Sequence, residues 1–248
     1  SINEYLRSQP VLDGKVQMNS LFCLPQYYLI EESSPTSAGN FEWFIQQLLP
    51  ELAENAKRAH SSIYDIIDQW VEAIDVKTFV PVFLPFLMAS NVHPNAKGCL
   101  IGLSYNHTRK HIARAIFEGI TFCHRYHYEK LLATRETRPG RIRLAGGAAR
   151  AEVWAQMFAD VMNTPVETVE AHETGALGCA IAAAVATGEY ESISEAVMNM
   201  TRISDPIMPD PERVRIYEKK YQLYVKIIES LDGLWDDMQE LAEEKYDG

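Results

Sequence analysis

The feature that most constrains the fold of this chain lies between residues 141 and 187. Residues 141–145 read as a short strand that ends in Gly146-Gly147. A helical pattern follows over about 151–163, with Val153, Trp154, Met157, Phe158, Val161 and Met162 on one apolar face. A second strand at 166–169 and an alanine-rich helix over about 175–187 complete the series. Strands that alternate with helices predict an α/β core, with helices packed over a sheet. Two glycines at the end of a strand let backbone approach a ligand closely, and the helix beyond offers free N–H groups. The same residues also make an ordinary tight connection, so the turn alone leaves both readings open.

Around that core, residues 1–30 are strand-like. Residues 15–22 alternate in polarity after the Asp13-Gly14 turn, and 26–30 follow Pro25 as another strand. From Thr36 the period turns helical, with Phe41, Phe44, Ile45, Leu48 and Leu49 in step as far as Pro50. Ser61-Ser62 can cap a further helix whose apolar face holds Ile63, Ile66, Ile67, Trp70, Val71 and Ile74. Two prolines keep residues 80–86 extended. A strand ending at Leu103 leads through a polar turn into a long amphipathic helix, capped by Thr108 and running to Leu132.

Turn amides, the Asn106 side chain and the helix dipole suit an anionic group such as phosphate. Asn106 and His107 equally suit a plain turn. Small residues from His172 to Ala184 predict a buried, closely packed helix. From Pro211 onward, Val214, Tyr217, Tyr221, Tyr224, Ile228, Leu231, Trp235 and Met238 step by three and four. That spacing fits either a coiled-coil seam, and with it a homodimer or scaffold, or a long helix lying on its own domain. The acidic end, residues 229–247, reads as a solvated face.

Composition removes several function classes. Thirty-four acids against 23 bases give a net charge of −11, which argues against nucleic-acid binding. No apolar run reaches the length needed to span a membrane. Cys23, Cys99, Cys123 and Cys179 form no CxxC pair and suit a reducing, cytoplasmic setting. The chain opens Ser1-Ile2-Asn3-Glu4, without a Met or a leader-like segment, so no signal peptide is expected. His107/His111 and His124/His127 have helical spacing, but no HExxH or cysteine partner accompanies them, and no metal site is expected. GxSxG, P-loop and GxGxxG motifs are all missing from the sequence. The residues alone thus lead to an α/β ligand-binding domain.

Three stretches taken together resemble the C-terminal domain of the FGGY carbohydrate kinases. The family's second signature has a small residue, an apolar one, then Gly-apolar. A later polar-apolar-x-x-small-apolar-apolar-acid block completes it. Gly98, Leu100, Gly102, Leu103, His111, Ile112, Ala115, Ile116, Phe117 and Glu118 satisfy it. Leu144-Ala145-Gly146-Gly147-Ala148, with Trp154, Gln156, Ala159, Asp160, Pro165 and Val166, resembles the adenosine motif and its helix. Glu173, Ala176, Leu177, Gly178 and Ala180 resemble the next block. The likeness covers residues 1–230 and leaves an acidic helical tail at 231–248.

The resemblance implies an RNase H-like α/β fold of the actin and hexokinase kind, a mixed sheet flanked by helices. It implies ATP with Mg²⁺ as cofactors, ATP/ADP and a small sugar as binding partners, and phosphoryl transfer to a sugar hydroxyl by the intact enzyme. Gly146, Gly147 and Ala148 would line the adenosine pocket, and the Asn106 turn would sit near the phosphates. Ala151 falls where some members carry an adenine-contacting Asn. At residues 85–91 typical members read Pro-Tyr-Leu-x-Gly-Glu-Arg, whereas this chain has Ser90-Asn91. That variant, with the opening Ser-Ile-Asn-Glu-Tyr, is most similar to the L-xylulose kinase branch. In the family the sugar domain, the catalytic Asp and a phosphate-gripping Gly-Thr loop lie upstream of the equivalent of Ser1. The 248 residues alone are therefore expected to be catalytically silent. A non-catalytic actin-like nucleotide-binding or regulatory module is the alternative carried forward.

Overall fold

In the first stretch of sequence, alternation produces three strands: β1 (Ile2–Arg7), β2 (Met18–Leu21) and β3 (Tyr28–Ser33). They pair antiparallel in the order β1-β3-β2, with Tyr5 opposite Ile30 and Asn19 opposite Ile30 on the other side. The computed structural model describes residues 2–35, 37–171 and 173–244. Ser1, Thr36, His172 and residues 245–248 of the acidic tail, all used in the sequence reading, lie outside the described residues. β2 is shorter than the expected 15–22. β3 starts later than residue 26 because Gln26 takes a positive φ of 71°, which breaks extended backbone.

The helical period from residue 36 gives α1 (Ala38–Leu48). Pro50 does not simply end it. Proline fits the first turn of a helix, where its missing N–H costs nothing, and Pro50 opens α2 (Pro50–Arg58), which the sequence reading did not contain. Ser62 caps α3 (Ile63–Glu72), its Oγ accepting the Asp65 N–H at 3.4 Å. β4 (Val82–Leu84) and β5 (Cys99–Ile101) form an antiparallel ribbon, with β5 ending two residues before Leu103.

α4 (Arg109–Leu132) is the axis of the molecule. It packs on α1, α3, β1, β3 and β4. Gly119 permits the closest approach, since a Cβ there would overlap the Phe83 carbonyl oxygen of β4. β6 (Ile142–Leu144) and β7 (Val166–Thr168) are parallel, joined by α5 (Glu152–Met162). Trp154 stacks on Phe117 of α4 at 4.0 Å between ring centroids and donates from Nε1 to Thr121 Oγ1 at 3.0 Å. Phe41 meets both rings edge-on. The helix that follows β7 is α6 (Thr174–Ala186), then come α7 (Ile193–Met200), α8 (Pro211–Leu231) and α9 (Trp235–Glu243).

Two expectations change. Among the described residues β1 pairs only with β3 and β6 only with β7, so the mixed sheet is realised as three small sheets. α6 is not buried: apart from Ile181 its residues are exposed or half-exposed, because among the described elements α7 is its main neighbour. Small apolar residues permit close packing but do not supply the surface to pack on. Of the two readings of the three-four stripe, the long helix lying on its own domain is the one the structure takes. Tyr217, Tyr221, Tyr224 and Ile228 are buried in the domain's own core, and Trp235 beyond them is fully enclosed. No helix among the described residues is long and apolar enough to cross a membrane.

Candidate nucleotide site

The chain leaves β6 at Leu144 and turns through Gly146, whose φ of 87° and ψ of −162° form a combination that side chains exclude. A short 3-10 turn, Gly147–Arg150, follows, closed by the Ala149 N–H donating to the Gly146 carbonyl at 3.1 Å. Ala151 is the N-cap of α5 and has no side-chain acceptor to offer, so the first N–H groups of that helix receive no side-chain cap. A Cβ placed on Gly146 or Gly147 would meet nothing within 4 Å, so the turn presents bare backbone to open space. Gly146, Gly147, Ala148 and Ala151 thus come together in one connection.

That connection borders a cleft of about 870 Å³ between α3, the start of α5 and the start of α8. Arg150, Glu152 and Val153 lie on its rim, and α3 contributes Asp65, Asp68 and Glu72. Burial, with the neighbouring Asp65 charge adding to it, pushes the Asp68 carboxyl up to about 6. Asp160 sits at the floor, 1% exposed. Its Oδ1 accepts from Gln156 Nε2 at 2.9 Å and from the Asp210 N–H at 2.8 Å, and Oδ2 has no hydrogen bond, only Arg213 at 3.9 Å. Burial raises the Asp160 pKa against the opposing effect of those donors.

Beneath the cleft lies a buried charge network. Arg114 of α4 donates from Nε to Glu118 at 2.9 Å, from Nη1 to the Val71 and Ile74 carbonyls at 2.9 and 2.6 Å, and from Nη2 to Tyr217 Oη at 2.8 Å. Lys220 of α8 closes the network by donating to both Glu118 oxygens at 2.9 and 3.0 Å. Burial lowers the Lys220 pKa and raises that of Tyr217. Arg114 and Glu118 carried a sequence signal, since charges spaced i,i+4 interrupt an apolar face. Tyr217, Lys220 and the α3 carbonyls carried none.

Asn106 lies elsewhere, in an exposed turn after β5. His107 Nδ1 accepts the Ser104 N–H at 3.0 Å and His111 Nδ1 accepts the Thr108 N–H at 3.2 Å, so both rings serve to close the turn ahead of α4. No hydrogen bond or ring contact among the described residues links Asn106 to Gly146–Ala151. Among the described residues no group of three His, Cys, Asp or Glu side chains is placed to hold a metal ion.

Comparison with known proteins agrees with this architecture. The profile of the FGGY family of carbohydrate kinases, C-terminal domain, matches residues 1–187. The chain is 36% identical over 206 residues to the L-xylulose/3-keto-L-gulonate kinase of Escherichia coli, covering 83% of this chain and 39% of that protein. It is 35% identical over 208 residues to a Haemophilus influenzae protein named a probable L-xylulose kinase, covering 84% and 39%. The crystal structure of xylulose kinase from Rhodospirillum rubrum superposes with a TM-score of 0.78 at 24% identity, over 95% of this chain and 46% of that one. The chain therefore spans less than half the length of these relatives.

Proposed function

Because the chain belongs to the FGGY family of carbohydrate kinases, we propose that it is the nucleotide-binding half of an ATP-dependent sugar kinase. The observation that supports this reading is the open Gly146-Gly147 turn, whose chain continues directly into Arg150, Glu152 and Val153 of the cleft lining. In it, Gly146, Gly147 and Ala148 line the adenosine pocket, and bare backbone there admits a flat base without a clash. Ala151 supplies apolar contact only. Asn106 is kept as the phosphate-side residue, on the strength of its exposed turn at the N-terminus of α4.

The intact enzyme would pass the ATP γ-phosphoryl group to a hydroxyl of a small sugar such as L-xylulose. Positioning and charge stabilisation across a closed cleft supply most of such catalysis. Mg²⁺ would neutralise the phosphates. Lacking a three-ligand cluster among the described residues, the chain has no evident cage for it, and no step is routed through the metal. A cytoplasmic setting suits the free cysteines. The reading needs no second copy, since the α8 stripe is spent inside the domain.

Isothermal titration tests the proposal. ATP and ADP are expected to bind with similar heats, Gly147→Val to weaken both at least about tenfold with an unchanged circular dichroism spectrum, and Asn106→Ala to weaken ATP but not adenosine. Absence of any nucleotide binding would overturn the reading, and undiminished binding by Gly147→Val would remove the turn from the site. On this reading the 248 residues alone, offered ATP and a panel of ketopentoses, show no turnover.

A further inference from the structure

The β1-β3-β2 sheet rests on α4 through a junction that is mostly polar. Its apolar share is small. Val11, Ile30 and Leu131 form a cluster separate from the main core, with Tyr5, Val16 and Tyr28 packed against it. The rest of the junction runs along the second half of α4. Asn3 Oδ1 lies 3.4 Å from His124 Nδ1, and Ser37 Oγ lies 3.2 Å from His124 Nε2. Glu32 Oε2 lies 3.4 Å from His127 Nδ1 and 3.9 Å from Lys130 Nζ, and its Oε1 accepts the Gln17 N–H at 2.8 Å. Tyr5 Oη meets Thr134 Oγ1 at 2.7 Å. His127 is 1% exposed and Glu32 5%.

We infer that this sheet is an acid-releasable flap, which detaches from α4 when His124 and His127 take up protons while the rest of the domain stays folded. The hydrogen bonds are satisfied by neutral rings, and His127, 1% exposed, has little water to solvate a charge. His124 uses its Nδ1–H toward Asn3, which leaves the Nε2 lone pair for the Ser37 hydroxyl. The groups facing the pair among the described residues are Glu32 from β3, Asn3 from β1, Ser37 before α1, Tyr126 and Lys130 from α4 itself, and the Phe158 ring from α5. Among the described residues Glu32 is the one carboxylate in contact, and Lys130 and the Gln17 N–H already occupy it. Burial holds both imidazoles below their ordinary value; at His127 the Lys130 charge adds to this and Glu32 opposes it.

The sign follows. A histidine whose folded pKa is depressed binds fewer protons when docked than when free, so docking is full above about pH 6.5 and weakens below it. Over the first pH unit below 6.5, each proton the docked state excludes raises the opening equilibrium about fivefold, and two raise it about thirtyfold. With three buried apolar residues in its separate cluster among the described residues, the sheet opens before the main core does.

Hydrogen exchange on the wild-type chain at pH 7.5, 6.5 and 5.5, corrected for intrinsic rates, tests this. The expected result is a loss of protection of up to about thirtyfold between pH 6.5 and 5.5 in peptides covering β1, β2 and β3, with α5 and α8 unchanged. A His124→Gln/His127→Gln variant, folded at pH 7.5, is expected to show no such step. Should that variant fail to fold, an NMR titration of the two wild-type imidazoles decides instead, because release must coincide with their protonation. Equal protection at all three values, loss of protection in α5 and α8 in step with the sheet, or a step that survives in the variant would each overturn the inference.

Discussion

The two halves of α4 bury polar side chains on the same helix by opposite means. In the first half the charges are kept: Arg114, Glu118 and Lys220 form a closed network in which each guanidinium nitrogen of Arg114 has an acceptor. In the second half the polar groups are imidazoles held neutral, and their partners on the sheet are long or shared. The difference lies in what each half holds. Arg114 closes the C-terminal carbonyls of α3 and reaches α8, so it fixes the walls of the cleft whatever the pH. The histidines hold a sheet that has little apolar support, so its attachment depends on protons.

The largest test of that contrast is Arg114→Met. Removing one member of a buried ion network leaves Glu118 and the α3 carbonyls under-satisfied, at a cost of about 3–5 kcal/mol. Urea unfolding at pH 7.5 reads it, and a loss under about 1 kcal/mol would mean the network does not bear on stability. Adding Glu118→Leu and Lys220→Met to Arg114→Met is expected to recover a good part of the loss, because apolar replacements of a whole network are often tolerated.

Gly119→Ala comes next and strikes the boundary between the halves. The new Cβ must displace the β4 backbone at Phe83, with a cost of about 1–3 kcal/mol. Its effect is expected to be the same at pH 7.5 and 5.5, since β4 touches neither histidine. A pH-dependent penalty would show that the two halves are coupled. Smaller again is Ser62→Ala at the opposite end of α3 from Arg114, about 1 kcal/mol for a lost cap. If it equals the loss in Arg114→Met, the charge network has no special weight.

How much of this was legible in the sequence depended on the reach of each interaction. Gly146, Ser62 and Thr108 act through their nearest neighbours, and their roles as turn and cap residues were readable. Pro50 was misread because the same local rule, a proline that cannot continue a helix, also describes one that begins it. Arg114 was passed over: its partners Val71 and Tyr217 lie 43 and 103 residues away, and no local pattern points to them. Asn106 and Gly146 both looked like ligand turns, and chemistry alone could not say that they belong to different ribbons of the fold.

The smallest expected effect concerns α6, where composition and environment disagree most. Its sequence is apolar enough for a core, yet Ala176, Cys179, Ala180 and Ala183 are exposed and only Ile181 is buried. If exposure governs, Ala180→Glu adds a charge to a face already in water. Its cost is then the helix-propensity difference between alanine and glutamate, a few tenths of a kcal/mol and within about 0.5. A buried alanine at the same place would instead force a carboxylate into the core and cost several kcal/mol. Thermal unfolding of the chain separates the two. A drop of more than about 1 kcal/mol would mean that α6 is covered in solution, and the comparison between well-packed and unsupported elements would have to be redrawn with α6 on the other side.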